Sequence, residues 1–268
     1  HKTKTMNVRH ILLVTLMSLV AMVSGAEERD SLRMLWIGNS YTFFNDLPST
    51  VRSIAASQGM RLSITTVVKG GEHLSGHLRN PRLHELLKRG GWDYVVVQEF
   101  SAGPAADTRT VARTVYPYAK TIDSLAVKYS PEAKVVFYMT WGHKYGNVYK
   151  NGYALDDDYQ TMQERLKTSY LEMAHDNGAW CAPVGMAWQT VRKEHPEYVL
   201  YAPDCFHPSP VGSYLAANVI FTTIWQRPYQ TGVCCGLPED QAEILQQTAQ
   251  KTVLENMTLL NIKDGGKN

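Results

Sequence analysis

Short runs of β-forming residues alternate with longer segments of helical periodicity along most of this chain. Parallel strands need long crossover connections, so this alternation favours a parallel sheet covered by helices on both faces. We therefore predict an α/β fold, a three-layer α/β/α sandwich with a central parallel sheet. The predicted strands are residues 34–37, 62–68, 94–97, 134–139 and 180–184, and the predicted helices are residues 48–58, 74–88, 109–129, 157–177, 209–225 and 239–260.

Several residues of chemical interest follow these predicted strands directly. Ligands of open parallel sheets bind beyond the carboxyl ends of the strands, where those ends share one edge. The residues that this edge is expected to collect are Ser40, Gly71, Gln98 and Trp141.

The length of 268 residues and a hydrophobic content of 44% suit one α/β domain. Arg9 and His10 precede an apolar stretch over residues 11–23, and small residues follow at positions 24–26. This pattern predicts a secretory signal peptide cleaved after Ala26, and hence a periplasmic or extracellular protein. The stretch is short for a membrane span, and the residue directly after the cleavage site is not a cysteine that could carry a lipid. No stable membrane anchor is therefore expected. The predicted division is a signal peptide at 1–26, the α/β domain at 27–228 and a C-terminal helical extension at 229–268.

The charge balance argues against a nucleic-acid partner. The whole chain has 27 basic and 25 acidic residues, a formal net charge of +2. Removal of residues 1–26 leaves 24 basic and 25 acidic residues, because only Lys2, Lys4 and Arg9 are lost. A mature surface without a basic excess does not recruit nucleic acid.

The chain has four cysteines, Cys181, Cys205, Cys234 and Cys235. Export permits disulfides, and either of the two neighbouring cysteines could pair with Cys181 or Cys205, so the pairing stays open. A zinc site is a weaker interpretation because no Cys-x-x-Cys spacing occurs. We expect no metal and no cofactor, and the oligomeric state is left open.

Gly38-Asn39-Ser40 directly follows the first predicted strand. A serine at such a strand-to-helix turn can present its hydroxyl as a nucleophile, while the next helix offers backbone N–H groups to a developing negative charge. An ordinary polar turn is the alternative interpretation. The Gly-x-Ser-x-Gly elbow is absent because Thr42 occupies its last position, which argues against an α/β-hydrolase.

Asp204 lies three residues before His207, in a loop that leads into a helix. A carboxylate at this spacing can accept a hydrogen bond from one imidazole nitrogen while the other nitrogen faces a nucleophile. The alternative is a loop in which Asp204 only caps a helix. Ser40, His207 and Asp204 together supply the nucleophile, base and orienting acid of a serine hydrolase.

In these blocks the sequence resembles the SGNH (GDSL-like) hydrolase superfamily. Gly38-Asn39-Ser40 corresponds to the family's Gly-Asp-Ser block, with Asn39 in place of the aspartate, and Gly71 to its glycine block. Asp204 and His207 match its Asp-x-x-His block before the terminal helix. The resemblance covers roughly residues 34–225 and implies an SGNH or flavodoxin-like sandwich with a Ser40–His207–Asp204 triad.

The third block of the family departs from its usual sequence. This chain has Gln98-Glu99-Phe100-Ser101 where the family usually has Gly-x-Asn-Asp. The resemblance implies an oxyanion hole formed by the amides of Ser40 and Gly71, and the Gln98 side chain is expected to replace the asparagine donor. A glutamine that caps the core is the alternative for Gln98.

The resemblance also implies the activity of an exported serine esterase acting on small acyl groups, most simply acetyl, carried by carbohydrate. The expected partner is therefore a small-molecule or glycan ester. The alternatives are a lipase or thioesterase-like enzyme, an acyltransferase with the same triad, and a carbohydrate-binding protein that kept the fold without turnover.

Aromatic residues near the predicted edge are expected to bind substrate. Tyr41 follows the candidate nucleophile and would line the acyl pocket, and Trp141 would offer a platform for a sugar ring. Packing against its own loop is the alternative for Tyr41, and core packing is the alternative for Trp141. His73 and His77 have helical spacing, but without a His-Glu-x-x-His order we expect exposed histidines rather than metal ligands.

Overall fold

A computed structural model describes residues 31–147 and 158–262 of the chain. Five parallel strands form one sheet in the order β2-β1-β3-β4-β5. Helices flank this sheet, so the predicted α/β sandwich is confirmed. The strands are β1 (Leu32–Gly38), β2 (Leu62–Val68), β3 (Tyr94–Val97), β4 (Lys134–Tyr138) and β5 (Trp180–Ala182).

Helices lie between these strands along the chain and after the last of them. They are α1 (Ser40–Phe43), α2 (Leu47–Ser57), α3 (Leu74–His77), α4 (Pro81–Arg89), α5 (Thr108–Thr114), α6 (Tyr116–Tyr129), α7 (Tyr159–Asn177), α8 (Val184–Glu194), α9 (Pro210–Trp225) and α10 (Glu239–Leu254). Helices α2, α8 and α10 pack against α9, whereas α4 and α7 pack against α6.

The central strands form because their residues suit burial on both faces. All seven residues of β1 pair with β2, and Met34–Ile37 also pair with β3. Met34, Leu35 and Trp36 have no exposed surface, as expected for a strand covered by helices on both sides. The register brings Gly38 beside Val68 and Ile37 beside Val97, so the chain leaves β1, β2 and β3 at one edge.

Helix α9 anchors the C-terminal part of the fold. Residues 212–224 of this helix are all buried, and Ser209 caps its first turn by accepting a hydrogen bond from the Gly212 N–H at 3.2 Å. Gly212 is required by close packing, since a Cβ there would lie 2.3 Å from the Trp188 ring. Helix α10 lies within the predicted extension and packs against α8 and α9.

Three further sequence predictions concern the ends, the cysteines and the membrane. The predicted signal peptide at 1–26 lies outside the described residues, and the domain division remains a prediction. All four cysteines lie in the described ranges and none of them is in a disulfide. In residues 31–147 and 158–262, no helix combines the length and apolar character needed to cross a membrane.

Candidate active site

The turn after β1 presents Ser40 at the first position of α1. Asn39 caps this helix, because its Oδ1 accepts a hydrogen bond from the Tyr41 N–H at 3.1 Å. The hydroxyl of Ser40 is thereby held at the carboxyl edge of the sheet, where a short helix begins.

The Asp204–His207 loop approaches Ser40 from the opposite end of the sequence. Asp204 Oδ1 accepts hydrogen bonds from the backbone N–H groups of Phe206, at 3.1 Å, and His207, at 2.9 Å. Its Oδ2 lies 2.7 Å from His207 Nδ1, and His207 Nε2 lies 2.8 Å from Ser40 Oγ. An ionised carboxylate only accepts, so Nδ1 carries the proton and Nε2 is left to accept from the Ser40 hydroxyl.

The ionisation of Asp204 suits this arrangement. Burial raises the pKa of its carboxyl, but hydrogen bonds from the His207 ring and the backbone N–H groups of Phe206 and His207 outweigh that effect. The pKa of Asp204 is therefore below its usual value. The carboxylate stays ionised at neutral pH, which keeps the His207 tautomer fixed.

Aromatic rings hold the imidazole of His207 in place. Phe44 stacks on it with ring centroids 4.2 Å apart and planes within 4°, and Phe206 lies against it at 4.4 Å. Tyr41 meets the same ring edge-on at 5.7 Å. Such packing limits rotation of the imidazole and preserves its two hydrogen bonds.

A pocket of about 340 Å³ opens beside Ser40 and His207. Gly71, which follows β2 with a φ of 67°, lies on its wall, as does Asn39. Among the described residues, the backbone N–H groups of Ser40 and Gly71 have no hydrogen-bond acceptor. Both N–H groups remain available to a negatively charged oxygen. The other residues lining the pocket are Tyr41, Phe100, Ser101, His143 and Phe206.

No protein-family model and no curated protein matches the chain. Among solved structures, a protein from Slackia heliotrinireducens assigned to the SGNH hydrolases is 31% identical, with a TM-score of 0.59. The match covers 72% of this chain and 99% of that one. The chain belongs to the SGNH hydrolases.

Two more distant structures share the SGNH fold of this chain. A DUF4886 family protein from Bacteroides uniformis has a TM-score of 0.67 at 20% identity, over 87% of this chain and 97% of its own. An acetyl xylan esterase from Geobacillus stearothermophilus has a TM-score of 0.52 at 14% identity, over 75% and 97%. At these identities the likeness is one of fold.

Gln98 does not lie where the SGNH third block was expected to place a donor. Its side chain is fully buried and points beneath the Ser40 turn. Gln98 Oε1 accepts from the Asn39 N–H and from Thr42 Oγ1, both at 3.0 Å. Gln98 Nε2 donates to Asn39 Oδ1 and to the Glu99 carbonyl. The prediction of Gln98 as an oxyanion donor is therefore wrong, because both its amide hydrogens are already used and it does not line the pocket.

Trp141 also differs from its predicted role. It has no exposed surface and does not line the pocket, so the prediction of a sugar platform is wrong. Its ring is stacked between Tyr41, at 4.5 Å, and Trp188, at 3.9 Å. Its Nε1 donates to the Phe206 carbonyl at 3.0 Å. Trp141 is a core residue that supports two of the pocket walls.

His77 and Glu99 have structural roles that their spacing in the sequence did not reveal. His77, expected to be exposed, is only 2% exposed, and its Nε2 is 2.8 Å from the Gly38 carbonyl. Glu99 is buried and accepts hydrogen bonds from the backbone N–H groups of Leu74 and Phe100. The only sequence signal for this role of Glu99 was a carboxylate two residues after the apolar run at 94–97.

Ser101 and His143 were not predicted as site residues, yet both line the pocket. Ser101 follows β3 and His143 follows β4, so both lie beyond the carboxyl ends of strands, where ligands of parallel sheets bind. In the described ranges, no group of three His, Cys, Asp or Glu side chains is arranged to hold a metal ion.

Proposed function

We propose that this SGNH hydrolase is a serine esterase that cleaves esters of small acyl groups, with Ser40, His207 and Asp204 as its catalytic residues. The observation that carries the proposal is the continuous hydrogen-bonded chain from Asp204 Oδ2 through His207 to Ser40 Oγ, at 2.7 and 2.8 Å. A serine hydroxyl becomes nucleophilic when an oriented base can take its proton.

The reaction follows from the placement of the hydrogens. His207 Nε2 takes the Ser40 proton as Ser40 Oγ bonds to the ester carbonyl carbon, and Asp204 stabilises the imidazolium. The backbone N–H groups of Ser40 and Gly71 donate to the tetrahedral oxyanion. The alcohol then leaves with the proton from His207. Water attacks the acyl-enzyme by the same route and releases the acid and free Ser40.

The pocket supports a short acyl group as the preferred substrate. The pocket has a volume of about 340 Å³, and buried side chains form part of its wall. One of them is Tyr41, which is 2% exposed. We take acetyl esters of carbohydrate as the first candidate, and acetyl xylan esterases occur among the solved structures with this fold. Export to the periplasm or cell exterior is part of the proposal and rests on the leader-like sequence of residues 1–26.

Steady-state hydrolysis tests the proposed esterase. Purified protein is assayed on p-nitrophenyl acetate, butyrate and decanoate, and acetate release from acetylated xylan is measured in parallel. We expect kcat/KM to fall with acyl length. Ser40→Ala and His207→Ala should lower kcat for the acetate by at least about 10³-fold, whereas exposed Ser53→Ala on α2 serves as the matched control.

Two results would contradict the proposal. Undiminished turnover in Ser40→Ala would remove Ser40 as the nucleophile. A preference for decanoate over acetate would contradict the proposal that the acyl group is small. If only the release of acetate from xylan fails, the result would contradict that polysaccharide as substrate and nothing else.

A further inference from the structure

Ser101 and His143 form a buried polar pair on the wall of the pocket. Their exposures are 6% and 4%, and His143 Nε2 lies 3.2 Å from Ser101 Oγ. Both residues share the pocket with Ser40 and His207, but neither belongs to the proposed triad or oxyanion hole. The pair therefore needs an explanation of its own.

The surroundings of His143 keep its ring fixed and uncharged. Its backbone N–H contacts Met162 Sδ at 3.2 Å, and its ring lies 5.5 Å from that of Phe206. Burial lowers the pKa of His143 to about 4, although the negative charge of Asp204 acts in the opposite direction. At neutral pH the imidazole is uncharged, so its Nε2 is either a donor or an acceptor towards Ser101.

A polar pair beside the aromatic walls of the pocket, Tyr41, Phe100 and Phe206, affects what can bind there. A hydroxyl can form one donor and two acceptor hydrogen bonds. The contact with His143 uses one of them, and the Tyr41 side chain is a second hydrogen-bonding neighbour of Ser101, so one position is left for a substrate atom. An alkyl chain placed against Ser101 would remove water from the hydroxyl without replacing its hydrogen bonds, which is unfavourable. A substrate atom that donates or accepts at this position would avoid that cost.

We propose that Ser101 and His143 are specificity-determining residues that, among acyl groups larger than acetyl, favour an uncharged group with a hydroxyl or carbonyl oxygen of its own. This inference rests on the proposed esterase and names its acyl class. The buried end of the pocket suits the acyl part, because the alcohol of a carbohydrate ester is large and must lie towards solvent. A charged acyl group is disfavoured because no Lys or Arg lines the pocket in the described part of the chain.

Matched pairs of ethyl esters test the inference by pH-stat titration at pH 7.5. Ethyl glycolate is compared with ethyl propionate, and ethyl 3-hydroxypropanoate with ethyl butanoate, so that a hydroxyl replaces a methyl at two chain lengths. The quantity measured is the ratio of kcat/KM for the hydroxyacyl ester to that for the alkanoyl ester. Comparison of this ratio between variants cancels the different intrinsic reactivities of the esters.

Ser101→Ala and His143→Phe should each lower this ratio about three- to tenfold for at least one pair, as expected for loss of one hydrogen bond to an uncharged group. Ser169→Ala removes an equally buried serine hydroxyl from α7, away from the pocket, and should leave the ratio unchanged. If His143→Phe does not fold, Ser101→Ala decides the question.

Ratios that agree within twofold in the wild type and in Ser101→Ala, for both pairs, would overturn the inference while leaving the esterase intact. Absence of hydrolysis of all four esters would instead overturn the esterase, and the inference with it. The two failures are therefore distinguishable.

Discussion

At the scale of single residues, burial changes the ionisation of Asp123 and His143 in opposite directions. Asp123 lies on α6 and is 8% exposed, and burial raises the pKa of its carboxyl to about 6. Burial lowers the pKa of His143 to about 4. In both cases the uncharged form is favoured in the folded protein, because desolvation penalises the charged form. Asp123 therefore disfavours the fold at high pH, and His143 does so at low pH.

Replacement of Asp123 by Asn should stabilise the protein at pH 8. The folded pKa of Asp123 lies above its unfolded value, so its stabilising contribution is complete below about pH 4 and is lost as pH rises through about 6. Asn has no charge to desolvate. We expect Asp123→Asn to raise the free energy of unfolding, relative to wild type, by about 1–3 kcal/mol more at pH 8 than at pH 4.

Urea unfolding at the two pH values measures this difference. Asp176→Asn on α7 replaces an exposed aspartate and controls for the change in net charge. If the difference in free energy of unfolding between Asp123→Asn and wild type is the same at pH 4 and pH 8, ionisation of Asp123 does not destabilise the fold.

At the scale of elements, three loops that follow β1, β2 and β3 are joined by side-chain hydrogen bonds. Gln98, after β3, accepts from the Asn39 N–H after β1 at 3.0 Å. Asn39 Nδ2 in turn donates to the Glu72 carbonyl after β2 at 3.1 Å. Gly38 permits this approach, because a Cβ there would lie 2.6 Å from Gln98 Oε1. The loops carrying Ser40 and Gly71 are thus positioned together.

Gln98 and Asn39 should therefore affect catalysis as a unit. Gln98→Ala leaves the buried Asn39 N–H without its acceptor. Asn39→Ala removes the hydrogen bond to the Glu72 carbonyl, in the loop that carries Gly71. Each should lower kcat more than it raises KM, and the double variant should lose less than the sum of the two. A coupling free energy of about 0.5–3 kcal/mol is expected from kcat/KM for p-nitrophenyl acetate.

A buried glutamine away from the site provides the comparison for this cycle. Gln246 on α10 is 7% exposed and donates to the Tyr214 hydroxyl at 2.9 Å. Gln246→Ala should lower stability without the selective loss of kcat. Strictly additive effects of Gln98→Ala and Asn39→Ala, or wild-type kcat in folded Gln98→Ala, would contradict the positioning role.

At the scale of the whole molecule, the sequence was most informative where one local pattern determines the structure. The strand at residues 94–97 was predicted with the bounds that β3 has, because a buried parallel strand is a continuous apolar run. The Asp204-x-x-His207 spacing predicted an Asp–His contact, which the structure has at 2.7 Å. In both cases the relevant partners are close in sequence or belong to one regular element.

Side-chain direction could not be predicted in this way. Gln98, Trp141 and His77 all follow predicted strands or turns at the sheet edge, and spacing alone does not distinguish a side chain in the pocket from one beneath it. Their burial depends on partners that are distant in sequence, such as Asn39 for Gln98 and Trp188 for Trp141. The polar wall of Ser101 and His143 was missed for the same reason, since residues 42 positions apart meet only in the folded chain.

The central claim is that Ser40 is a nucleophile activated by His207, and covalent labelling tests it most directly. The protein is treated with a fluorophosphonate probe and the modified peptide is identified by mass spectrometry. We expect one label per chain, on Ser40, and a loss of labelling rate of at least about 10³-fold in His207→Ala. Absence of label from the folded wild-type protein, or a label on another serine at the same rate in Ser40→Ala, would contradict the account.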